Sequence, residues 1–219
     1  MAHAKYLREK ARELRTKKKL TIDELAERLA LSRTTIYYWV RDIPIPQTKD
    51  QKLAQRRASR ATRTKHRLRR QAAYDEGQRT FAALSRDPMF RDFVNLYIGE
   101  GYKRSRNRVS LCNSDPAVVI LANHWICRLG ANTVTYSLQY HADQDPAELC
   151  EFWAWTLAAS PGSISLQRKS NSMQMAGRGW RSHYGVLAVI CNDTLLRARL
   201  QAWMDCVREQ WLHSLVIGA

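Results

Sequence analysis

The sequence DPMFRDFVNLYIGEG, from Asp87 to Gly101, decides the fold of the larger part of the chain because it predicts a helix with almost no polar face. Asp87 is a favourable N-cap, and Pro88 suits the first helical position, where a missing N–H is tolerated. The apolar residues that follow predict a helix that is buried between layers or between subunits. Gly99 and Gly101 are typical of a helix end.

Glu100 stands between those two glycines, at the C-terminal end of the predicted helix. A carboxylate at this end faces the negative pole of the helix dipole, which is unfavourable by about 0.3–1 kcal/mol. Two interpretations remain open: Glu100 is a solvated acid at a helix end, or its position serves a function.

The segment FVNLYIGEG, residues 93–101, resembles a degenerate LAGLIDADG motif of the homing endonucleases. The resemblance implies two helices packed side by side, in which the last acid of each binds a divalent metal over DNA; Glu100 falls on that acid. It continues through a strand at 108–115, a helix at Pro116–Leu129, and a last strand and helix within 183–203. Asn95 replaces a small residue of the helix pair, and a basic loop at 103–108 replaces most of the first strand.

Length and composition predict two domains with hydrophobic cores, since the chain has 219 residues, 45% of them hydrophobic, and seven Trp. No apolar run approaches the roughly 18 residues of a membrane span, and no secretion signal opens the sequence. The five cysteines are widely spaced and form no C-x-x-C pair, which argues against a structural zinc site. We therefore expect a cytoplasmic protein without membrane contact, either bacterial and nucleoid-associated or phage-encoded.

Positive charge is concentrated in the first third of the chain. Residues 1–72 carry 21 Lys or Arg and 7 Asp or Glu, and so hold most of the net charge of +16. A basic surface that only kept the protein in solution would not need to be confined to one region. The N-terminal third is therefore predicted to face a polyanion such as DNA.

The same third contains a helix, a turn and a helix. After a first helix at Lys5–Lys18, the sequence TIDE at 21–24 has the pattern of a capping box, and Ser32 can cap a second helix that runs to Arg41. The stretch from Leu20 to Asp42 resembles the helix-turn-helix of resolvases and repressors. Apolar residues occupy its contact positions: Leu25, Ala26, Leu29, Leu31, Ile36 and Trp39.

The resemblance implies that the second helix enters the major groove and reads base edges. Arg33 could bind guanine through two hydrogen bonds, and Thr34 or Thr35 could contact a thymine methyl or a phosphate. The predicted DNA-facing residues of this helix are Ser32, Arg33, Thr34, Thr35, Tyr37, Tyr38 and Arg41. Tyr37 and Tyr38 have an alternative interpretation, in which they pack on the next segment.

Residues 52–70 form a helical stretch with nine Lys or Arg and no acid. Having few large apolar residues, it cannot bury a face, and it is either a solvated linker helix or a segment that contacts phosphates. We expect phosphate contacts from its basic side chains, which include Arg56, Arg57, Arg60, Arg63, Lys65 and Arg67.

The remaining pattern is α+β. Strands are predicted at 108–113, 132–140, 163–168 and 184–191, and helices at 116–129, 145–158 and 193–212. The predicted domains are a helix-turn-helix domain at 1–50, a basic helical linker at 51–86, and a LAGLIDADG-like α+β domain with an antiparallel sheet at 87–219. Further DNA contacts are predicted for the basic residues Lys103, Arg104, Arg106, Arg168, Lys169, Arg178 and Arg181.

Two classes of function fit these features. The first is a sequence-specific regulator of transcription, of the repressor type, that binds double-stranded DNA without a cofactor; the WhiA sporulation regulators also join a LAGLIDADG-like domain to a helix-turn-helix. The second is a Mg²⁺-dependent homing-type endonuclease that acts as a homodimer with Glu100 as metal ligand. Asn95, the shortened strand and the single acid favour the regulator, and a homodimer is compatible with both.

Overall fold

A computed structural model describes residues 5–45, 49–169 and 182–217 of the chain. The chain divides into two compact units, residues 1–63 and 64–219. This division lies inside the predicted linker at 51–86, and a single helix, α4, runs through that region from Lys49 to Leu84. No helix among the described residues is both long enough and apolar enough to cross a membrane.

Three helices precede α4 in the first unit: α1 (Lys5–Lys18), α2 (Ile22–Leu29) and α3 (Arg33–Val40). Their boundaries confirm the helix-turn-helix predicted from the sequence. The three helices enclose a small core of fully or nearly fully buried side chains: Ala11, Leu14, Leu25, Ile36 and Val40.

Local hydrogen bonds set the start of α2 and the turn that follows it. The Thr21 hydroxyl accepts the backbone N–H of Glu24 at 3.2 Å, and the Glu24 carboxylate accepts that of Thr21 at 2.7 Å. These two bonds confirm the capping box. At the other end Ala30 takes the left-handed conformation, with φ of 54°, where glycine is more usual.

An ion pair fastens α1 to the end of α3. The Arg12 guanidinium donates to both carboxylate oxygens of Asp42, at 2.7 and 2.6 Å, and also to the carbonyl of Trp39 at 2.7 Å. The hydrogen bond from Arg12 lowers the pKa of Asp42 to about 2. The position of α3 is thus fixed by a two-pronged contact between residues 30 positions apart.

The second unit is an α+β structure, as the sequence predicts. After α4 come α5 (Pro88–Glu100), β1 (Val109–Asn113), α6 (Pro116–Leu129), β2 (Val134–Tyr140), α7 (Pro146–Leu157), β3 (Ile164–Arg168), β4 (Val186–Cys191) and α8 (Thr194–Ile217). A short 3-10 turn at Pro161–Ser163 precedes β3.

The four strands form one sheet in the order β1-β4-β2-β3. Strand β4 pairs antiparallel with both β1 and β2, whereas β2 and β3 run parallel. The predicted antiparallel pairing is therefore confirmed for two of the three strand pairs, and the sheet as a whole is mixed. Strands β2 and β3 are joined through helix α7, a connection long enough to return the chain to the same end of the sheet.

Helix α5 contributes the centre of the core but is not buried on every side. Phe90 is fully buried and meets the rings of Trp125 and Trp203 edge-on, each at 5.2 Å between centroids. The opposite side of α5 is exposed in this chain, and its residues include Met89, Asp92, Asn95 and Gly99. The prediction that nearly every face would be buried is thus wrong within one chain, because α6, α8 and β1 pack on one side only.

Candidate nucleic-acid interface

The N-terminus of α3 is held by its own side-chain cap. The Ser32 hydroxyl accepts the backbone N–H of Thr35 at 3.2 Å, and the two hydroxyls lie 2.8 Å apart in a further hydrogen bond. Thr35 is partly buried, whereas Arg33 and Thr34 are exposed. Ser32 and Thr35 therefore serve the cap, and the direct DNA contact predicted for them would have to compete with it.

Arg33 is exposed and points away from the core of the first unit. Its Nε lies 3.1 Å from the Asp23 carboxylate at the start of α2, and both side chains are largely in solvent. Exposed pairs of this kind contribute about 0–1 kcal/mol, so this pair can be exchanged for a base or a phosphate at little cost. The sequence did not indicate Asp23 as the neighbour of Arg33.

The two tyrosines and Arg41 extend the exposed side of α3. Tyr37 is 47% and Tyr38 60% exposed, and their rings meet edge-on with centroids 5.5 Å apart. The Arg41 guanidinium lies 5.7 Å from the centre of the Tyr38 ring. This exposure favours the prediction that both rings face DNA over the alternative that they pack on the following segment.

The basic half of α4, residues 52–69, is exposed throughout. Arg56, Arg57, Arg60 and Arg63 belong to the first unit, and Lys65 and Arg67 to the second. Within the described residues none of these six forms an ion pair with a carboxylate, so their charges are available to an anion. They suit contacts with phosphate groups, which require charge and carry no sequence information.

The basic residues of the second unit that the sequence predicts as DNA contacts do not all lie on one surface. The Lys103 ammonium donates to the carbonyls of Ile98 at 2.7 Å, Gly99 at 3.3 Å and Tyr97 at 3.4 Å, and so caps α5. The DNA contact predicted for Lys103 would have to compete with this capping role, because the last carbonyls of a helix need donors. Arg104 remains exposed.

Arg106 is exposed, as Arg104 is. Arg168 lies on the opposite side of the sheet from the residue before it in the strand. In β3, Arg168 alternates with Gln167 and shares the side of Ile164 and Leu166, the side that the helices cover. Lys169 follows the strand and donates its backbone N–H to the carbonyl of Tyr140 at 3.0 Å. Two further predicted contacts, Arg178 and Arg181, lie outside the described residues.

The uncovered side of the sheet is a shallow concave surface of about 580 Å³ that the sequence analysis did not single out. Small or polar strand residues, together with Ile190, form its floor, and Glu100, Lys103, Arg104 and Arg108 lie along its margin. Alternation of polar residues along the strands was the available signal. The floor residues are Ser110, Cys112, Ser137, Gln139, Gln167, Ala188 and Ile190.

Glu100 is the last residue of α5 and lies at the edge of this concave surface. The side-chain amide of Asn113 donates a hydrogen bond to the Glu100 carboxylate, and the Lys103 ammonium donates to the neighbouring backbone carbonyls. The Asn113 side-chain oxygen already accepts the N–H groups of Ser114 and Asp115. Within one chain these groups do not fit a magnesium site, because Glu100 is the only carboxylate among the described residues that line this surface, and its neighbours present donors.

No cluster of three His, Cys, Asp or Glu side chains suited to a metal occurs in the part of the chain that the structure describes. The surroundings of Glu100 also account for its place at a helix end. An amide donor on the carboxylate and a lysine on the last carbonyls both offset the unfavourable dipole.

Comparison with known proteins assigns the first unit. The sequence profile of a helix-turn-helix family matches residues 12–55. This stretch contains α2, α3 and the Arg12–Asp42 ion pair that holds the end of α3. Together with the exposed side of α3, this match defines a helix-turn-helix DNA-binding domain whose partner is double-stranded DNA. No curated protein and no solved structure matches the chain. The matched stretch ends before residue 87, and the LAGLIDADG resemblance of the second unit stays a prediction.

Proposed function

We propose that the protein is a sequence-specific regulator of transcription, of the repressor type, that reads the major groove with α3. The observation that carries this proposal is the exposed side of a helix whose position is fixed at both ends. Ser32 caps its start, and the Arg12–Asp42 pair holds its end. A reading helix needs this rigidity because base contacts require side chains placed to within a fraction of an ångström.

The basic half of α4 would supply affinity. Each phosphate neutralised by a lysine or arginine releases counterions and contributes to binding on any sequence. We propose a division of labour in which Arg33, Thr34 and Tyr37 select the site while Arg56 and Arg57 bind the backbone. The concave side of the sheet, with Arg104 at its margin, would add a second DNA contact.

The division of labour can be tested with a site selected from random duplexes by the purified protein. Arg33→Ala should weaken binding to the selected site by about 1–3 kcal/mol and relax the preference at one or two base pairs. Changing Arg56 and Arg57 together to Ala should weaken binding to the selected duplex and to a random duplex by the same factor. Arg86→Ala is the matched control, because Arg86 is exposed and lies outside all of these surfaces.

Fluorescence anisotropy on the selected and on a random duplex measures both quantities. Equal losses on the two duplexes for Arg33→Ala would contradict the reading role of α3. A selection that returned no shared sequence would contradict sequence-specific recognition itself.

The endonuclease remains the alternative because Glu100 lies beside a concave sheet surface with basic residues along its margin. It would require a second chain to complete any metal site, since Glu100 is the single carboxylate among the described residues that line this surface. Incubating the wild type with Mg²⁺ and supercoiled DNA that carries the selected site distinguishes the two. Strand scission at the site that disappears in Glu100→Gln would establish the nuclease and refute the regulator; we expect no scission.

A homodimer is part of the proposal in either class. The exposed side of α5, with Met89, Asn95 and Gly99, is a surface on which a second α5 could pack. Light scattering of the purified protein gives the mass directly. If a dimer forms through this surface, Asn95→Lys should return it to a monomer, whereas Arg86→Ala should leave it unchanged.

A further inference from the structure

A pocket of about 500 Å³ in the second unit is lined by arginines from three separate elements. The second half of α4 contributes Arg67 and Arg70, the loop before β1 contributes Arg104 and Arg106, and α8 contributes Arg197. Among the described residues no Asp or Glu lines this space, and all of its lining residues belong to the same compact unit. Lys103 and four uncharged residues complete the lining: Gln71, Tyr74, Ala198 and Gln201.

Arg197 is the unusual member, because a guanidinium is rarely buried without a carboxylate. It is 7% exposed, and its Nε has no hydrogen-bond partner. One terminal nitrogen donates to Gln201 at 3.1 Å, and no carboxylate of the described residues forms an ion pair with it. A buried charge left unpaired is costly, and it is normally retained only where an opposite charge is supplied.

The position of Arg197 in its helix also favours a negatively charged partner. It lies in the first turn of α8, whose N-terminus already carries the positive end of the helix dipole. The nearby Asp193 carboxylate is occupied, since it accepts the backbone N–H groups of Ala131, Leu195 and Leu196. Among the described residues no carboxylate forms an ion pair with Arg197, so an anion bound from outside would supply the negative charge.

The walls of the pocket are held in place before any ligand arrives. Tyr74 on α4 donates its hydroxyl to Asp205 on α8 at 3.2 Å, and Arg199 pairs with Glu76 at 3.4 Å. The loop is tied to the same region, because Arg108 donates to the side chain of Asn192 at 3.2 Å. A preformed cluster of arginine forks suits the geometry of phosphate oxygens.

We propose that this pocket binds a small ligand that carries two or more linked phosphate groups, at a site separate from the DNA-reading helix. Its volume lies in the range of small-molecule sites, and it exceeds what a single phosphate needs. The ring of Tyr74 and the side-chain oxygen of Gln71 offer contacts for the remainder of such a ligand, whereas the Gln201 amide is already bonded to Arg197 and Asp205. The inference goes beyond the proposed function and does not depend on what α3 reads.

The test is calorimetric titration of the full chain with pyrophosphate at constant ionic strength. The wild type should show saturable binding of one pyrophosphate per chain, and Arg197→Met should weaken it by about 10-fold or more. The double variant Arg104→Ala with Arg106→Ala should also weaken it. Arg79→Ala is the matched control, since Arg79 is exposed on the same helix as Arg67 but lies outside the pocket, and it should leave the affinity unchanged.

Melting without ligand separates binding from folding. Because Arg197→Met removes an unpaired buried charge and keeps an unbranched apolar stem, its melting temperature should not fall. If this variant does not fold, the exposed pair Arg104 and Arg106 carries the test alone. Wild type without saturable binding, or unchanged affinity in the variants, would overturn the proposal.

A duplex titration distinguishes the source of the phosphate. If Arg197→Met weakens binding to a random duplex as much as it weakens binding to pyrophosphate, the pocket binds a phosphate of the DNA backbone and the small-ligand proposal is wrong. Arg33→Ala should bind pyrophosphate as the wild type does. These measurements therefore test the pocket proposal and the proposed role of α3 independently.

Discussion

Gly77 lies where α4 closely approaches α8, and replacing it tests that contact. A Cβ at this position would lie 2.8 Å from the Arg199 carbonyl oxygen and 2.9 Å from the Ala202 Cβ. Neither atom can move freely, because one is backbone and the other is the first atom of a buried side chain. The helices would have to separate.

Two opposing effects set the magnitude for Gly77→Ala. Alanine in a helix interior is more favourable than glycine by about 0.5–1 kcal/mol, whereas overpacking costs about 1–3 kcal/mol. We therefore expect a net loss of up to about 2 kcal/mol. For a unit of this size each kcal/mol lowers the melting temperature by about 2–4 °C.

Gly99→Ala, measured at a concentration at which the protein is a monomer, is the matched control for that change. Gly99 is helical in α5, and a Cβ there would meet nothing within 4 Å. The propensity gain is then unopposed, and stability should stay the same or rise by up to about 1 kcal/mol. Scanning calorimetry of both variants measures the difference, and a Gly77→Ala protein as stable as Gly99→Ala would refute the close approach of α4 and α8.

Three further outcomes are expected. Arg12 lowers the pKa of Asp42 to about 2 from a usual 3.8, so the stabilising effect of the pair should be complete above about pH 4 and lost as the pH falls through about 2; acid titration followed by circular dichroism should show less of this loss in Asp42→Asn. Thr21→Ala should destabilise the first unit by about 0.5–2 kcal/mol in urea, because the Glu24 N–H loses its acceptor, and an unchanged midpoint would contradict the role of the capping box. Binding to duplex DNA should fall with salt with a logarithmic slope of about −5 or steeper if six or more phosphates are contacted, and a flat response in anisotropy would contradict the assignment of the basic first third.

Short-range signals explain why so many element boundaries could be predicted. Asp87, Asp115 and Asp145 each precede a proline and each accept a backbone N–H two residues later, at 2.7–2.9 Å. A cap of this kind depends on a few neighbouring residues only. The sequence could therefore locate α5, α6 and α7 without knowing what they pack against.

Candidate DNA-reading residues were predictable for the same reason, and their actual surroundings were not. The exposed positions of α3 follow from helical periodicity and from the cap at Ser32. The ion pair of Arg33 with Asp23 and the use of Lys103 as a helix cap depend on groups from other turns and elements. Charge alone could not separate Lys103, which is occupied, from Arg104, which is exposed.

By itself the sequence determined the helix-turn-helix, the basic character of the first third and the α+β order of the rest. Periodicity and caps act over a few residues, and charge is a property of composition. Only the tertiary structure decided that β2 and β3 run parallel, that one side of α5 stays open, and that Arg197 is buried without an acid beside five other cationic side chains. Those features arise from residues far apart in the chain, and a pattern within one segment carries no information about which distant side chain it will meet.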